Sequence, residues 1–363
     1  MAPLRKRSIV APFVLAILVS SPVAAQSSWG IGVTRNGAIV FCDRVRSTVW
    51  QVDPDGHRHA AFQGVNCYGV ATGLDGQVLG EATPMDVTMT RGVGVWRLGA
   101  SGQREWLQPP SLVPVPRVWI ARDAESRSFL WTGVGAVGTN DARVREPVGG
   151  EHPAIVRLDT FGIRVDIAGG ARGEKDGVGT DAAFDNVTGL AAAPDGSLLV
   201  IDDGNIRRVS ARGMVTTEAV GVVTDSHIGL VNTPGLWARE IGIAADDRSE
   251  AVVVDPAAGR VVHVDRSGHA VTMWAPSGWS QRLTLGRWGW RPSGVALAGR
   301  TYFVVDEWVG PALLADIVGS PRVMQIDDQG HVTRVASVPG WTARIGGVLL
   351  LIVALSLLSR RKR

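Results

Sequence analysis

Six segments of this chain end the same way, in an aliphatic residue followed four places later by glycine: Val52 and Gly56, Leu98 and Gly102, Leu158 and Gly162, Val209 and Gly213, Val264 and Gly268, Ile326 and Gly330. Three places before each aliphatic residue stands another, Val49, Val95, Ile155, Ile206, Val261 and Val323. Alternating β-branched residues that run into a glycine turn spell strand, tight turn, strand. A second column opens each unit: Gly30-Ile31, Gly69-Val70, Trp119-Ile120, Gly189-Leu190, Gly242-Ile243 and Gly294-Val295. Glycine there suits an innermost strand, where neighbouring units crowd a common axis and a Cβ would collide. After turns such as Asn36-Gly37, Asp75-Gly76 and Asp195-Gly196, a further apolar strand closes at Asp43, Glu81, Gly133, Asp202, Asp255 and Asp306. Four strands per unit, repeated six times at a spacing of roughly fifty residues, predict an all-β, six-bladed propeller over residues 26–338. An open sandwich would not explain such a period. Closing into a ring removes long free edges. Few residues precede Gly30, so no spare N-terminal strand is expected to complete the last blade, and closure is expected from packing between blades one and six.

Unit four is the clearest. Thr188-Gly189-Leu190 leads into Pro194-Asp195-Gly196, then Leu198 to Asp202, then Asn205-Ile206-Arg207-Arg208-Val209, and Gly213-Met214-Val215-Thr216-Thr217 closes it. This order resembles NHL repeats, and unit five matches nearly as well through Asp255, Arg260 and Asp265. Units two and three are degenerate, so the resemblance covers about half the chain directly and the rest by period. The SMP-30/gluconolactonase-like and TolB-like propellers are more distant resemblances.

The two ends carry targeting signals. Arg5, Lys6 and Arg7 precede an apolar run from Ile9 to Val19, and Val23-Ala24-Ala25 offers small residues for cleavage before Gln26. Residues 1–25 therefore read as a secretory signal peptide. Near the C-terminus, Ile345 to Leu358 holds no charge and runs into Arg360, Arg361, Lys362 and Arg363. Fourteen residues rise about 21 Å as a helix, and Trp341 and Arg344 extend the span toward the interface. Residues 339–363 are expected to form a single membrane anchor with its basic end in the cytoplasm and the propeller outside, periplasmic or extracellular. The tail also resembles bacterial sorting signals of the PEP-CTERM type, without the Pro-Glu-Pro element.

The formal charge of +3 belongs to these ends. Eight of the 37 basic residues lie in them and none of the 34 acids does, which leaves 29 basic residues against 34 acidic in the body. A mildly acidic body without a basic stripe excludes nucleic acid as an expected partner. Cys42 and Cys67 are the only cysteines. Cys42 precedes Asp43 and Cys67 lies two before Gly69, which puts both on one face of adjacent blades. They are expected either to bridge across that seam, as an oxidising compartment allows, or to remain two buried thiols.

The turns between first and second strands, and between third and fourth, are tight throughout. The insertions fall on the opposite face: Ala82 to Gly92, Gly133 to His152, Val222 to Thr233, Pro276 to Arg291 and Glu307 to Ser320. Long loops on one face of a rigid repeat mark a binding face. One of them gathers Trp274, Trp279, Trp288 and Trp290 with Arg282, Arg287 and Arg291, and Trp308 follows. Such rings suit a platform for a sugar, a peptide or a protein partner, and equally a packed satellite core or a membrane contact.

Catalytic signals are sparse. In the lactonases that this propeller distantly resembles, Asn and Asp side chains just before the inner strands hold a divalent metal. The matching positions here are Trp29, Tyr68, Val118, Thr188, Ile241 and Ser293. The acids Asp43, Glu81, Asp202, Asp255 and Asp306 offer a cation ring at the channel mouth, but Asp at a strand end more commonly caps a turn. The seven histidines are scattered, and His57 and His59 share one strand side without an evident third ligand. No resident cofactor is expected, and neither a nucleophile elbow nor a zinc-protease helix occurs. The chain thus reads as an exported, membrane-tethered module that binds an envelope protein, peptide or glycan through its long-loop face. The alternative is an atypical propeller hydrolase or lyase acting at the channel mouth.

Overall fold

The computed structural model describes residues 30–338 except 44–45, 75–76, 85–93, 100–103, 109–119, 126, 132–152, 159–163, 225–240, 277–288 and 310–319. Alternating aliphatic residues separated by glycine turns form six antiparallel sheets. Blade one comprises β1 (Ile31–Val33), β2 (Ile39–Asp43), β3 (Thr48–Val52) and β4 (Arg58–Gln63). Blade two comprises β5 (Val65–Thr72), β6 (Val78–Pro84), β7 (Gly94–Leu98) and β8 (Arg104–Gln108). Blade three comprises β9 (Ile120–Arg122), β10 (Ser128–Trp131), β11 (Ala154–Leu158) and β12 (Arg164–Gly169). Then follow β13 (Ala171–Arg172), β14 (Gly177–Val178) and β15 (Ala183–Phe184), an excursion before blade four. Blade four comprises β16 (Val187–Ala192), β17 (Leu198–Asp202), β18 (Asn205–Val209) and β19 (Met214–Ala219). Blade five comprises β20 (Ile243–Ala245), β21 (Ala251–Asp255), β22 (Arg260–Val264) and β23 (Ala270–Trp274), and blade six β24 (Gly289–Ala298), β25 (Thr301–Val309), β26 (Arg322–Ile326) and β27 (Val332–Ser337). Strands pair in chain order within every blade, so the fold is an all-β six-bladed propeller with four-stranded blades.

The structure departs from the sequence expectation in three places. Blade four carries a fifth strand, because β14 pairs with β19 through Gly177↔Val215 and Val178↔Met214. The inner hairpin of blade six also outruns the acid column: Gly289 pairs with Val309 and Arg291 with Glu307, where loop was expected. In blade two, Val65 pairs with Pro84 in the same way.

The core lies between blades rather than within them. Ile31, Phe41 and Val52 of blade one pack with Ala296, Val305 and Val323 of blade six, and this apolar seam closes the ring. All four strands of each of these two blades come from one continuous stretch. At the axis the glycines meet. A Cβ on Gly242 would lie 2.6 Å from the Gly294 Cα, and one on Gly294 would lie 3.2 Å from the Gly30 Cα. Gly30 itself has φ +80, with the Val70 backbone 2.3 Å from where its Cβ would be. These contacts are to backbone and cannot be relieved by a rotamer change, so the inner column is glycine for steric reasons.

The expected signal peptide and the C-terminal anchor lie outside the described residues. Among the described residues no helix is long and apolar enough to cross a membrane.

Candidate functional site: the axial cavity and the acid column

The inner strands enclose a cavity of about 390 Å³. It begins at the glycine collar, where Gly30 and Gly242 line it, and reaches the first tight turns at Arg35, Leu74 and Gly299. Its walls are aliphatic: Ile31 and Val33, Val70, Leu190, Ile243 and Leu297, with alanines between them. Consecutive residues of the inner strands line it, Leu190 to Ala192 and Gly242 to Ala245 among them, so polar surface contributes beside the aliphatic side chains. Thr34, Thr72 and Arg35 supply its polar atoms. Thr72 Oγ1 accepts the Val33 N–H, tying blade one to blade two across the wall. The cavity opens toward the tight-turn face, whereas the sequence pattern pointed to the long-loop face.

The acid column does not line this cavity. Asp43, Asp202, Asp255 and Asp306 are fully buried where the second strands end. Each meets its own guanidinium: Arg46 Nη1 donates to Asp43 at 2.9 Å, Arg207 Nη1 to Asp202 at 2.7 Å, Arg260 Nε to Asp255 at 3.1 Å and Arg322 Nε to Asp306 at 2.9 Å. Asp43 and Asp255 also cap the next turn, accepting the N–H groups of Arg46 and Ala258. Asp202 instead accepts the N–H groups of Asp185 and Asn186, just before its own inner strand. These carboxylates are occupied by cations and turns, as strand-end aspartates commonly are. Asp306 is the exception in one respect, because among the described residues no turn N–H reaches it and its Oδ1 lacks a partner. Burial pushes its carboxyl up to about 7 against the opposing pull of Arg322 and Arg291. Glu81 lies in β6, paired with Gly69 and Val95.

The tryptophan group divides. Trp279, Arg282, Arg287 and Trp288 lie outside the described residues. Trp308 is buried, not an open platform, and its ring meets Trp290 edge-on at 5.8 Å. The Arg322 guanidinium lies 3.6 Å over Trp290. Trp274 pairs with Val261 and packs against the seam between blades four and five. Trp290 and Trp308 meet across the extended β24–β25 hairpin, and Trp274 stands half-buried at the end of β23.

Cys42 and Cys67 form a disulfide with Cα atoms 5.8 Å apart, joining β2 to β5. Around it Val40, Val49, Val70 and Trp96 fill the seam between blades one and two. Of the lactonase-like ligand positions, Thr188, Ile241 and Ser293 are buried and stand on the far side of the collar from the cavity. His57 and His59 do have a third group: their Nδ1 atoms lie 3.9 and 3.4 Å from Asp53 Oδ2. Sequence reading missed a second such group, Asp246, Glu250 and His263 in blade five. These residues come from a turn and from the third strand, and only the β21–β22 register brings them together.

No family profile matches the chain, and no curated protein does. Solved structures do. A gluconolactonase from Xanthomonas campestris is 15% identical, over 82% of this chain and 90% of that one, with a TM-score of 0.51. An aldose sugar dehydrogenase from Streptomyces coelicolor, in its PQQ-bound form, is 15% identical over 79% and 90%, with a TM-score of 0.46. Virginiamycin B lyase from Staphylococcus aureus is 12% identical over 87% and 85%, with a TM-score of 0.45. At such identities the likeness to the gluconolactonase is one of fold: the chain is a six-bladed β-propeller of the kind found among these enzymes.

Proposed function

We propose that this chain is an exported propeller, NHL-like in its repeat and tethered by residues 339–363, whose axial cavity binds a small ligand of mixed polar and apolar character or a side chain of an envelope partner. The observation that carries this reading is the cavity itself. Its size suits a small molecule, and aliphatic side chains share its surface with at least as much polar surface, as in a pre-formed pocket that orients its guest by polar groups. The long-loop face is a further docking surface in this reading, with Trp279 and Trp288 as contact residues. Binding of the apolar probe 1-anilinonaphthalene-8-sulfonate by the purified chain tests the cavity. Saturable binding that disappears on filling the bore with Ala244→Phe, in a variant that melts like wild type, supports the reading. Binding unchanged by Ala244→Phe refutes it. For the tether, a reporter active only outside the cytoplasm gives signal when fused after Gly340 and none when fused after Arg363. The reverse pattern refutes the topology.

A second reading is a hydrolase or lyase acting at the channel mouth. It is favoured by the names of the enzymes that share the architecture, a gluconolactonase among them. Hydrolysis of a sugar lactone by the purified chain, abolished by a chelator and by Ala244→Phe, would support it over simple binding.

A further inference from the structure

We propose that Asp246, Glu250 and His263 bind one divalent cation of the zinc class on the tight-turn side of blade five. His263 Nε2 lies 3.2 Å from Asp246 Oδ2 and 3.2 Å from Glu250 Oε2. One ring nitrogen can make one linear hydrogen bond, so it cannot serve both oxygens well. In a tetrahedral zinc site with bonds of about 2.0–2.1 Å, neighbouring ligand atoms stand about 3.3 Å apart, which is the spacing found here.

The charge balance points the same way. The third-strand position of His263 is held in the other blades by Gln51, Arg97, Arg157, Arg208 and Gln325. In two of those blades an arginine there pairs with an acid, Arg97 with Glu105 at 2.6 Å and Arg208 with Glu218, and in blade one Gln51 Nε2 donates to Asp53 Oδ1 at 2.7 Å. Blade five instead faces two carboxylates with an imidazole. Among the described residues neither Asp246 nor Glu250 pairs with arginine or lysine. A bound dication supplies the missing charge, and imidazole with carboxylate is a suitable donor set for zinc.

The site is also built to hold still. Asp246 Oδ1 accepts the N–H groups of Arg248 at 2.9 Å and Glu250 at 2.8 Å, which leaves Oδ2 aimed at the histidine. The turn is pinned by blade four, where the Asp195 N–H donates to Ser249 Oγ at 3.1 Å and Arg208 Nη2 donates to the Ser249 carbonyl at 2.7 Å. Ser249 holds a left-handed φ of 62 to make these bonds. From blade six Tyr302 feels the same field: burial first, then the charges of Asp246 and Asp247, push its hydroxyl above the ordinary range, although Arg248 and Arg300 oppose them. The Asp53, His57 and His59 group is more open, and its Asp–His pair recurs in the same turn as Asp265–His269 and Asp327–His331. That recurrence marks it as part of the repeat.

The full-length chain, purified in detergent and stripped with a chelator, is titrated with zinc chloride, and binding is read by metal analysis and by competition with a chromophoric chelator. One zinc per chain is expected, with visible bands of a four- or five-coordinate ion when cobalt is substituted. His263→Gln, which places there the residue that blades one and six already carry, and Glu250→Gln each weaken binding by about 100-fold or more. Zinc raises the melting temperature of wild type and of neither variant, and His59→Gln leaves uptake intact. If His263→Gln fails to fold, Glu250→Gln decides. No retained zinc, unchanged affinity in the ligand variants, or loss of uptake on His59→Gln alone overturns the proposal.

Discussion

Arg207 Nη1 donates to Asp202 Oδ2 at 2.7 Å with both side chains buried, and the same guanidinium holds the carbonyls of Ala183 and Lys175 and lies 4.7 Å over the Phe184 ring. One side chain thus ties the acid column of blade four to the β13–β15 excursion. Arg207 also reaches Asp176, whose carboxylate accepts the Thr217 N–H at 2.9 Å beside the added strand β14. Replacing Arg207 with methionine strands the Asp202 charge in the interior, and the expected loss is about 3–5 kcal/mol in urea unfolding. Adding Asp202→Asn to that variant restores part of it. A double variant no more stable than Arg207→Met alone would contradict the assigned role.

The glycine collar separates two kinds of glycine. Gly242→Ala forces a Cβ into the Gly294 backbone, and the expected cost is about 1–3 kcal/mol with loosening of the ring. Gly196→Ala meets nothing within 4 Å and suffers only from its φ of +81, so about 1 kcal/mol is expected. Equal losses in thermal unfolding would refute a steric collar.

Breaking the Cys42–Cys67 bridge by Cys42→Ser with Cys67→Ser removes a link across 25 residues and costs about 2–4 kcal/mol. Non-reducing peptide mapping of exported protein should yield the linked peptides. Two free thiols per chain would refute the bridge.

Asp306 makes stability depend on pH. Its carboxyl titrates at about 7 in the fold and at its ordinary, lower value when unfolded. Between those values the folded state holds a proton that the unfolded state has lost. The contribution is therefore fully present below about pH 4 and is lost as pH rises through about 7. Compared with Asp306→Asn, wild type should lose stability on the order of a few kcal/mol between pH 5 and 8 in denaturant titrations. A pH-independent difference between the two proteins would refute this.

The column of aliphatic residues and glycines made the blades legible because each entry answers a local demand: a turn that needs positive φ, or an axis with no room for Cβ. Asp43 and Asp255 were legible as turn caps for the same reason, since Arg46 and Ala258 are only three residues away. Asp202 was not, because its N–H donors lie 16 and 17 residues earlier. Composition left Trp308 and Trp290 open between a binding platform, a packed core and a membrane contact, and the unforeseen length of the β24–β25 hairpin set their rings edge-on.

Period, turn chemistry and steric need at the axis are properties of short stretches, and through them the sequence by itself determined a six-bladed ring and the place of each blade in it. Which face the cavity opens on, which guanidinium neutralises each acid, and the meeting of His263 with Asp246 and Glu250 were decided only by the tertiary structure. They depend on registers between strands and on contacts between neighbouring blades, where one residue of slip would turn a side chain to the other face.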